Sequence, residues 1–148
     1  MAVTTVYSRA ALRNMPWWSI AAGAAALARG ELIVLHHGQH IVLVGCADTT
    51  TTTQMAFIAR YSAGRPRIAI HLDNADPVNL PAEVADVTHA GGTPAEIALA
   101  LTDAALPRSS GAVLADVDRY RISAGATAIA DAEAFASRHG LTLVAAPD

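Results

Sequence analysis

Short apolar runs alternate with helix-length stretches along this chain of 148 residues, and that alternation constrains the fold more than any other feature. The runs ELIVLHH (31–37), HIVLVGCA (40–47), RPRIAIHL (65–72), GAVLADV (111–117) and LTLVAA (141–146) are too short for helices. They read as short strands, ELIVLHH and GAVLADV as buried ones. Between them lie helical stretches: the alanine-rich WWSIAAGAAALARG closed by Gly30, QMAFIARYSAG ending at Gly64, EIALALTDAAL broken by Pro107, and the amphipathic AIADAEAFASRHG stopped by Gly140. Alternation of helix and short apolar strand indicates a single layered α/β or α+β structure. The expected fold class is therefore α/β (α+β), a single-domain sheet with flanking helices over residues 17–148. Residues 1–16 show no clear period, include Pro16, and are expected to form an irregular arm.

Local signals place several boundaries. His36-His37-Gly38-Gln39-His40 reads as a hairpin turn with Gly38 in it. The five threonines Thr49–Thr53 favour strand or loop over helix interior. Asp73–Glu83, rich in Asp, Asn and Pro, reads as a loop, as does Asp118–Thr127. Thr93-Pro94-Ala95-Glu96 is a helix start, with Thr93 at the N-cap, Pro94 at the first helical position and Glu96 completing a capping box.

Composition narrows the function. Net charge is −3 with no basic stripe, which argues against nucleic acid as a partner. The ten basic residues are all arginine, so Schiff-base chemistry on this chain is excluded. One cysteine, Cys46, rules out an internal disulfide and a cysteine-rich zinc site; mid-run, it reads as a buried structural thiol. The apolar stretch Trp17–Leu27 is too short to span a bilayer and is followed by Arg29 and Glu31. Arg9 and Arg13 precede that stretch, but it runs on into a strand rather than to a cleavage site, so a cytoplasmic protein is expected. The 53% hydrophobic content is high for a short chain and favours a homodimer, with Trp17 and Trp18 in the core or a dimer contact.

Three blocks together resemble the 3,4-dihydroxy-2-butanone 4-phosphate synthase family. LVGCADTTTTTQMAFIARYSAG resembles the family stretch in which a strand ends at an acidic residue and a helix ends in Arg-Tyr-Thr-Ser-Gly. GGTPAEIALALTDAALPRSSGAVLADV resembles its Gly-His-Thr-Glu-Ala helix and the strand after it. EAFASRHGLTLVAA resembles its C-terminal helix and strand. The resemblance implies a reduced form of that family's fold, homodimeric, with a middle segment missing. It also implies changes at the site. The family's acidic loop, which supplies a metal-binding glutamate, is here His36–His40. The metal-binding histidine of Gly-His-Thr is here Gly92. The phosphate-contacting arginine matches His89, and the glutamate at the next strand's end matches Asp116. With both metal ligands replaced, the implied loss is the family's metal-dependent rearrangement.

The resulting expectation is a metal-independent enzyme of specialised metabolism, a cyclase, isomerase or lyase acting on a small carbonyl-containing substrate. It needs no cofactor and interacts with no membrane. Asp48, His89 and Asp116 are the candidate acid–base groups. His36, His37, His40, Gly91, Gly92 and Thr93 are the candidate substrate contacts, converging with them on one site. Each has a plainer reading. Asp48 can cap the next helix, and Asp116 can belong to a surface turn with Asp118, Arg119 and Arg121. Gly91–Thr93 can be an ordinary helix start, although its free N–H groups suit an oxyanion. The histidines can be an exposed turn, an acid–base group or a transition-metal site. His36 and His37 are neighbours on a strand and face opposite ways, so at most one of them shares a site with His40. A non-catalytic binding or accessory subunit and a histidine-cluster metal-binding protein remain the two alternatives.

Overall fold

The computed structural model describes residues 2–6, 12, 15–71, 84–88, 93–119 and 127–146, with backbone alone for 2–6, 71 and 84–88. Seven strands and four helices lie in this part: β1 (Ala2–Val6), α1 (Trp17–Ala28), β2 (Ile33–His37), β3 (His40–Cys46), α2 (Thr52–Tyr61), β4 (Arg67–His71), β5 (Val84–Thr88), α3 (Pro94–Ala105), β6 (Ala112–Asp116), α4 (Ala128–His139) and β7 (Thr142–Ala146). They form one mixed sheet in the order β5-β1-β4-β6-β3-β2-β7. The centre, β4-β6-β3-β2, is antiparallel. β7 joins β2 in parallel on one side, and β1 and β5 add in parallel to β4 on the other.

Both faces of the central strands are buried. Ile33, Leu35, Val42, Val44 and Leu114 meet Leu27 of α1 and Ile97, Leu99 and Leu101 of α3. Val34, Ile41, Leu43, Val113 and Ala115 meet Ile58 of α2 and Phe135 and Ala136 of α4. The result is the expected sheet with flanking helices, a three-layer arrangement. Each fully buried Leu or Ile contributes roughly 1.5–3 kcal/mol of transfer free energy, which is why consecutive apolar residues in β2 and β3 hold both layers at once.

Two strands lie where none was expected. The stretch read as an irregular arm contains β1, whose register runs from Ala2↔Arg67 to Val6↔His71. Its sequence AVTTV carries the valine and threonine that suit a pleated strand, but it lacks the apolar run by which the other strands were read. β5 was not anticipated either. The expected loop before it, 73–83, lies outside the described residues.

The helix starts are set by side-chain caps. Thr51, not Asp48, is the N-cap of α2: its hydroxyl accepts from the Gln54 N–H at 3.1 Å, and Gln54 Oε1 accepts from the Thr51 N–H at 2.8 Å. Thr93 caps α3 as expected, accepting from the Glu96 N–H at 3.3 Å, with Pro94 in the first turn. Thr127 caps α4, and Gly140 ends it at φ 65°. Trp17 and Trp18 are not in the core, being 78% and 63% exposed. No helix among the described residues is long and apolar enough to cross a membrane.

Candidate functional site at the hairpin end of the sheet

The β2–β3 turn fixes the first part of the site. Gly38 adopts φ 60°, which a two-residue hairpin turn requires, and the register closes on His37↔His40. Side chains alternate along a strand. His37 therefore lies on the α1/α3 face with Leu35 and Ile33, while His36, opposite Ile41, lies on the α2/α4 face. His40 shares the face of His37. The cluster thus divides as the sequence implied, two imidazoles on one face and one on the other.

Asp116 joins the same end and face. It ends β6 opposite Val42, two residues beyond His40 on β3, a diagonal neighbour at roughly 7–8 Å. One strand further, Arg67 begins β4 opposite Leu114, and its guanidinium lies 3.5 Å from the Asp116 carboxylate. The pair is partly exposed, at 33% and 51%, so it orients the two groups more than it stabilises the fold. The backbone here is fixed by the residues at the end of α2: the Ala63 N–H donates to the Asp116 carbonyl and the Asp118 N–H to the Tyr61 carbonyl, both at 2.8 Å. Arg119 reaches Asp131 of α4, a 3% exposed carboxylate, through Nε at 3.0 Å and Nη2 at 2.7 Å. His37 is the least satisfied group at this end, its Nδ1 being buried with no hydrogen-bond partner.

Asp48 does not belong to this group. β3 and β6 are antiparallel, so the residues after Cys46 lie beside the start of β6, at the opposite end from Asp116. The register steps from Cys46↔Ala112 to Val42↔Asp116, a separation of roughly 14 Å along the strands. Asp48 is held there by Ser110, whose N–H and hydroxyl donate to its two carboxylate oxygens at 2.8 and 2.7 Å. It lines an open cavity of about 450 Å³ with Leu106, Pro107, Arg108 and Ser109. Within one chain, Asp48 and Asp116 therefore cannot act together as acid and base. Burial, and secondarily Asp48, push the nearby Cys46 thiol up to about 11, which keeps it protonated and inert. Its sulfur lies 4.0 Å from the Leu27 carbonyl.

Of the other expected site residues, Thr93 is engaged as a helix cap, and His89, Gly91 and Gly92 lie outside the described residues. Arg67 and Ser110 were not anticipated. Nothing near Arg67 in the sequence marks it as a partner of Asp116; only the β4–β6 register does. Ser110 lies 62 positions from Asp48 and is likewise a product of strand pairing. Among the described residues, no three His, Cys, Asp or Glu side chains are grouped to hold a metal ion.

No protein-family model matches the chain, and no curated protein matches it in sequence. Solved structures do match. The 3,4-dihydroxy-2-butanone 4-phosphate synthase of Candida albicans aligns over 85% of this chain and 92% of its own, at TM-score 0.65 and 16% identity. RibBX, a two-domain 3,4-dihydroxy-2-butanone 4-phosphate synthase from A. baumannii, aligns over 85% of this chain and 55% of its own, at TM-score 0.67 and 15% identity. A synthase of the same name in complex with two magnesium ions aligns over 85% and 92%, at TM-score 0.65 and 19% identity. Identities this low speak to architecture alone, and on architecture they agree: the chain has the 3,4-dihydroxy-2-butanone 4-phosphate synthase fold.

Proposed function

We propose that this protein is a metal-independent enzyme of specialised metabolism that moves protons on a small carbonyl-containing molecule, in an isomerase, cyclase or lyase reaction. On this reading it is not a riboflavin-pathway synthase. The observation that carries the reading is the buried, unpartnered His37 Nδ1 on the same sheet face as His40, Asp116 and Arg67. A buried polar atom without a partner costs about 1–3 kcal/mol, and such a cost is accounted for when a ligand supplies the missing bond. No hydrogen bond at Nδ1 fixes the His37 tautomer.

The chemistry follows from the order of groups across the strands. One imidazole of the His37–His40 pair takes the proton from the carbon next to the carbonyl. The electron pair moves onto the oxygen, where the Arg67 guanidinium offsets the enolate charge. Return of the proton to a different carbon completes an isomerisation; loss of a leaving group completes an elimination. Asp116 holds Arg67 in place.

One of the similar structures carries magnesium, but the groups at this end do not suit that ion. Magnesium prefers carboxylate and water oxygens in octahedral array. The hairpin turn offers imidazoles and the Gln39 amide, and the Asp116 carboxylate already faces a guanidinium. No step is therefore assigned to a metal.

Deuterium uptake tests the reading whatever the product is. Small hydroxyketones and 1,3-dicarbonyl compounds are incubated with the protein in D₂O and followed by proton NMR. The expected result is protein-dependent exchange next to the carbonyl of at least one compound, reduced at least about tenfold in His37→Ala or His40→Ala. Exchange at equal rates in the wild type and in both variants refutes the assignment.

A further inference from the structure

The open cavity of about 450 Å³ beside Asp48 takes no part in proton transfer at the hairpin end. Its volume lies within the roughly 300–1,000 Å³ usual for small-molecule sites. One wall is the turn that follows α3. Pro107 has no N–H with which to continue the helix. The Leu106 N–H donates to the Thr102 carbonyl and the Ser109 N–H to the Leu106 carbonyl, both at 2.8 Å. The other wall follows β3. There the Ala47 N–H donates to the Gly111 carbonyl at 3.0 Å. Thr50 donates to the Cys46 carbonyl through its N–H at 3.0 Å and its hydroxyl at 2.6 Å. Short local bonds therefore shape both walls in advance of a ligand, which lowers the ordering cost of binding.

Three features of the lining point to what binds. Asp48 is aimed by Ser110, whose N–H and hydroxyl each occupy one lone pair on a different carboxylate oxygen. A carboxylate offers about four such sites, so about two stay open to a further donor. Ser109 is 7% exposed, and its hydroxyl is buried without a hydrogen-bond partner. Arg108 lines the same cavity as Asp48, yet among the described residues the two form no ion pair. A carboxylate and a guanidinium that share a cavity without meeting suit a molecule that carries both charges. Leu106 and Pro107 give the same cavity apolar surface.

We infer that this cavity binds a free amino acid with an apolar side chain. The ammonium donates to the open lone pairs of Asp48. The carboxylate accepts from Arg108, whose planar fork matches it. The side chain lies on Leu106 and Pro107, and the Ser109 hydroxyl gains the partner that the protein does not give it. A simple carboxylic acid leaves Asp48 unmatched and a simple amine leaves Arg108 unmatched, so each binds more weakly. The site shares no residue with the hairpin end, and the two assignments stand or fall separately.

Equilibrium dialysis of the full chain against radiolabelled L-leucine, L-methionine and L-phenylalanine tests the inference. The analogues of each that lack the ammonium or the carboxylate serve as competitors. Saturable binding of at least one amino acid is expected, with a dissociation constant below about 1 mM. Both one-charge analogues are expected to compete at least about tenfold less well. Asp48→Asn and Arg108→Gln, each with unchanged circular dichroism, are expected to weaken binding at least about tenfold. Arg108 is exposed, so Arg108→Gln decides alone if Asp48→Asn disturbs the loop. Three results each overturn the inference: no saturable binding of any of the three amino acids, equal binding by the wild type and Arg108→Gln, or a one-charge analogue that competes as well as the amino acid.

Discussion

Gly111 joins α3's exit loop to β6 at a positive φ of 153°, and replacing it with alanine tests the sheet order directly. A Cβ at this position overlaps the Ala69 carbonyl oxygen and lies 3.1 Å from Ile70 Cγ2, both on β4. The obstacle is backbone, which cannot turn aside, and the contact sits beside the Ala69↔Ala112 pair that ties β4 to β6. Strain from the glycine-favouring conformation costs about 1–3 kcal/mol, and forced overpacking costs about 1–3 kcal/mol more. Gly111→Ala is therefore expected to destabilise the fold by roughly 2–6 kcal/mol, out of the roughly 7–20 kcal/mol usual for this length. Urea unfolding followed by circular dichroism reads this as a midpoint lowered by about 1–3 M, for a slope near 2 kcal/mol/M. Gly64→Ala is the control: nothing lies within 4 Å of its Cβ position, and it is expected to be neutral or slightly stabilising. A Gly111→Ala midpoint equal to the wild type refutes the packing of Gly111 on β4 and with it the β4–β6 adjacency.

Further predictions concern charged and titrating groups. Arg119→Ala leaves the 3% exposed Asp131 carboxylate without the two N–H bonds that Arg119 donates to its Oδ2; a loss of about 2–4 kcal/mol is expected, the open side of Arg119 moderating the full penalty, and an unchanged melting temperature refutes the pairing. His139 packs among Phe57, Tyr61 and Phe135 with ring centroids 4.7–5.2 Å away. Burial, then Arg138 and Arg60, lower its affinity for a proton. A base whose folded pKa is depressed gives stability that is present above the unfolded value, near 6.5, and lost as pH falls through the folded one. The melting temperature is therefore expected to drop from pH 7 toward pH 5, and by less in His139→Phe; equal slopes in the two proteins contradict this. Cys46, with its thiol raised to about 11, is expected to resist thiol reagents at pH 8 until the protein unfolds, and rapid native-state labelling contradicts its burial.

Much of the fold was readable because its strongest signals are local. Gly38 between two apolar runs specifies a hairpin, Thr93-Pro94 specifies a helix start, and Gly140 specifies a helix end; each is a backbone requirement met by one residue type. β1 and β5 were missed because AVTTV and VADVT lack the apolar runs that mark the other strands, some of them equally short. Asp48 was only one candidate cap for α2; Thr51 takes that place because it stands three residues before Gln54, and that spacing closes the capping box.

The candidate site was legible only in part. Alternation alone put His36 and His37 on opposite faces, and the strand-end position of Asp116 was evident. What failed is the assumption that strand ends gather at one edge, which suits a parallel sheet. Here β3 runs against β6, so the ends at Asp48 and Asp116 are at opposite edges. Arg67 entered the site through register, a property of pairs of distant segments that no single segment displays.

Formate release from ribulose 5-phosphate by the purified protein, measured with and without magnesium, tests whether the metal-dependent rearrangement of the family that the sequence resembles is lost here, as the replaced ligand positions imply. No formate above the protein-free control is expected under either condition, because the imidazoles of the hairpin turn and the guanidinium-paired Asp116 do not make a magnesium site. Formate that appears with the protein and magnesium, and disappears with chelator, contradicts a metal-independent enzyme.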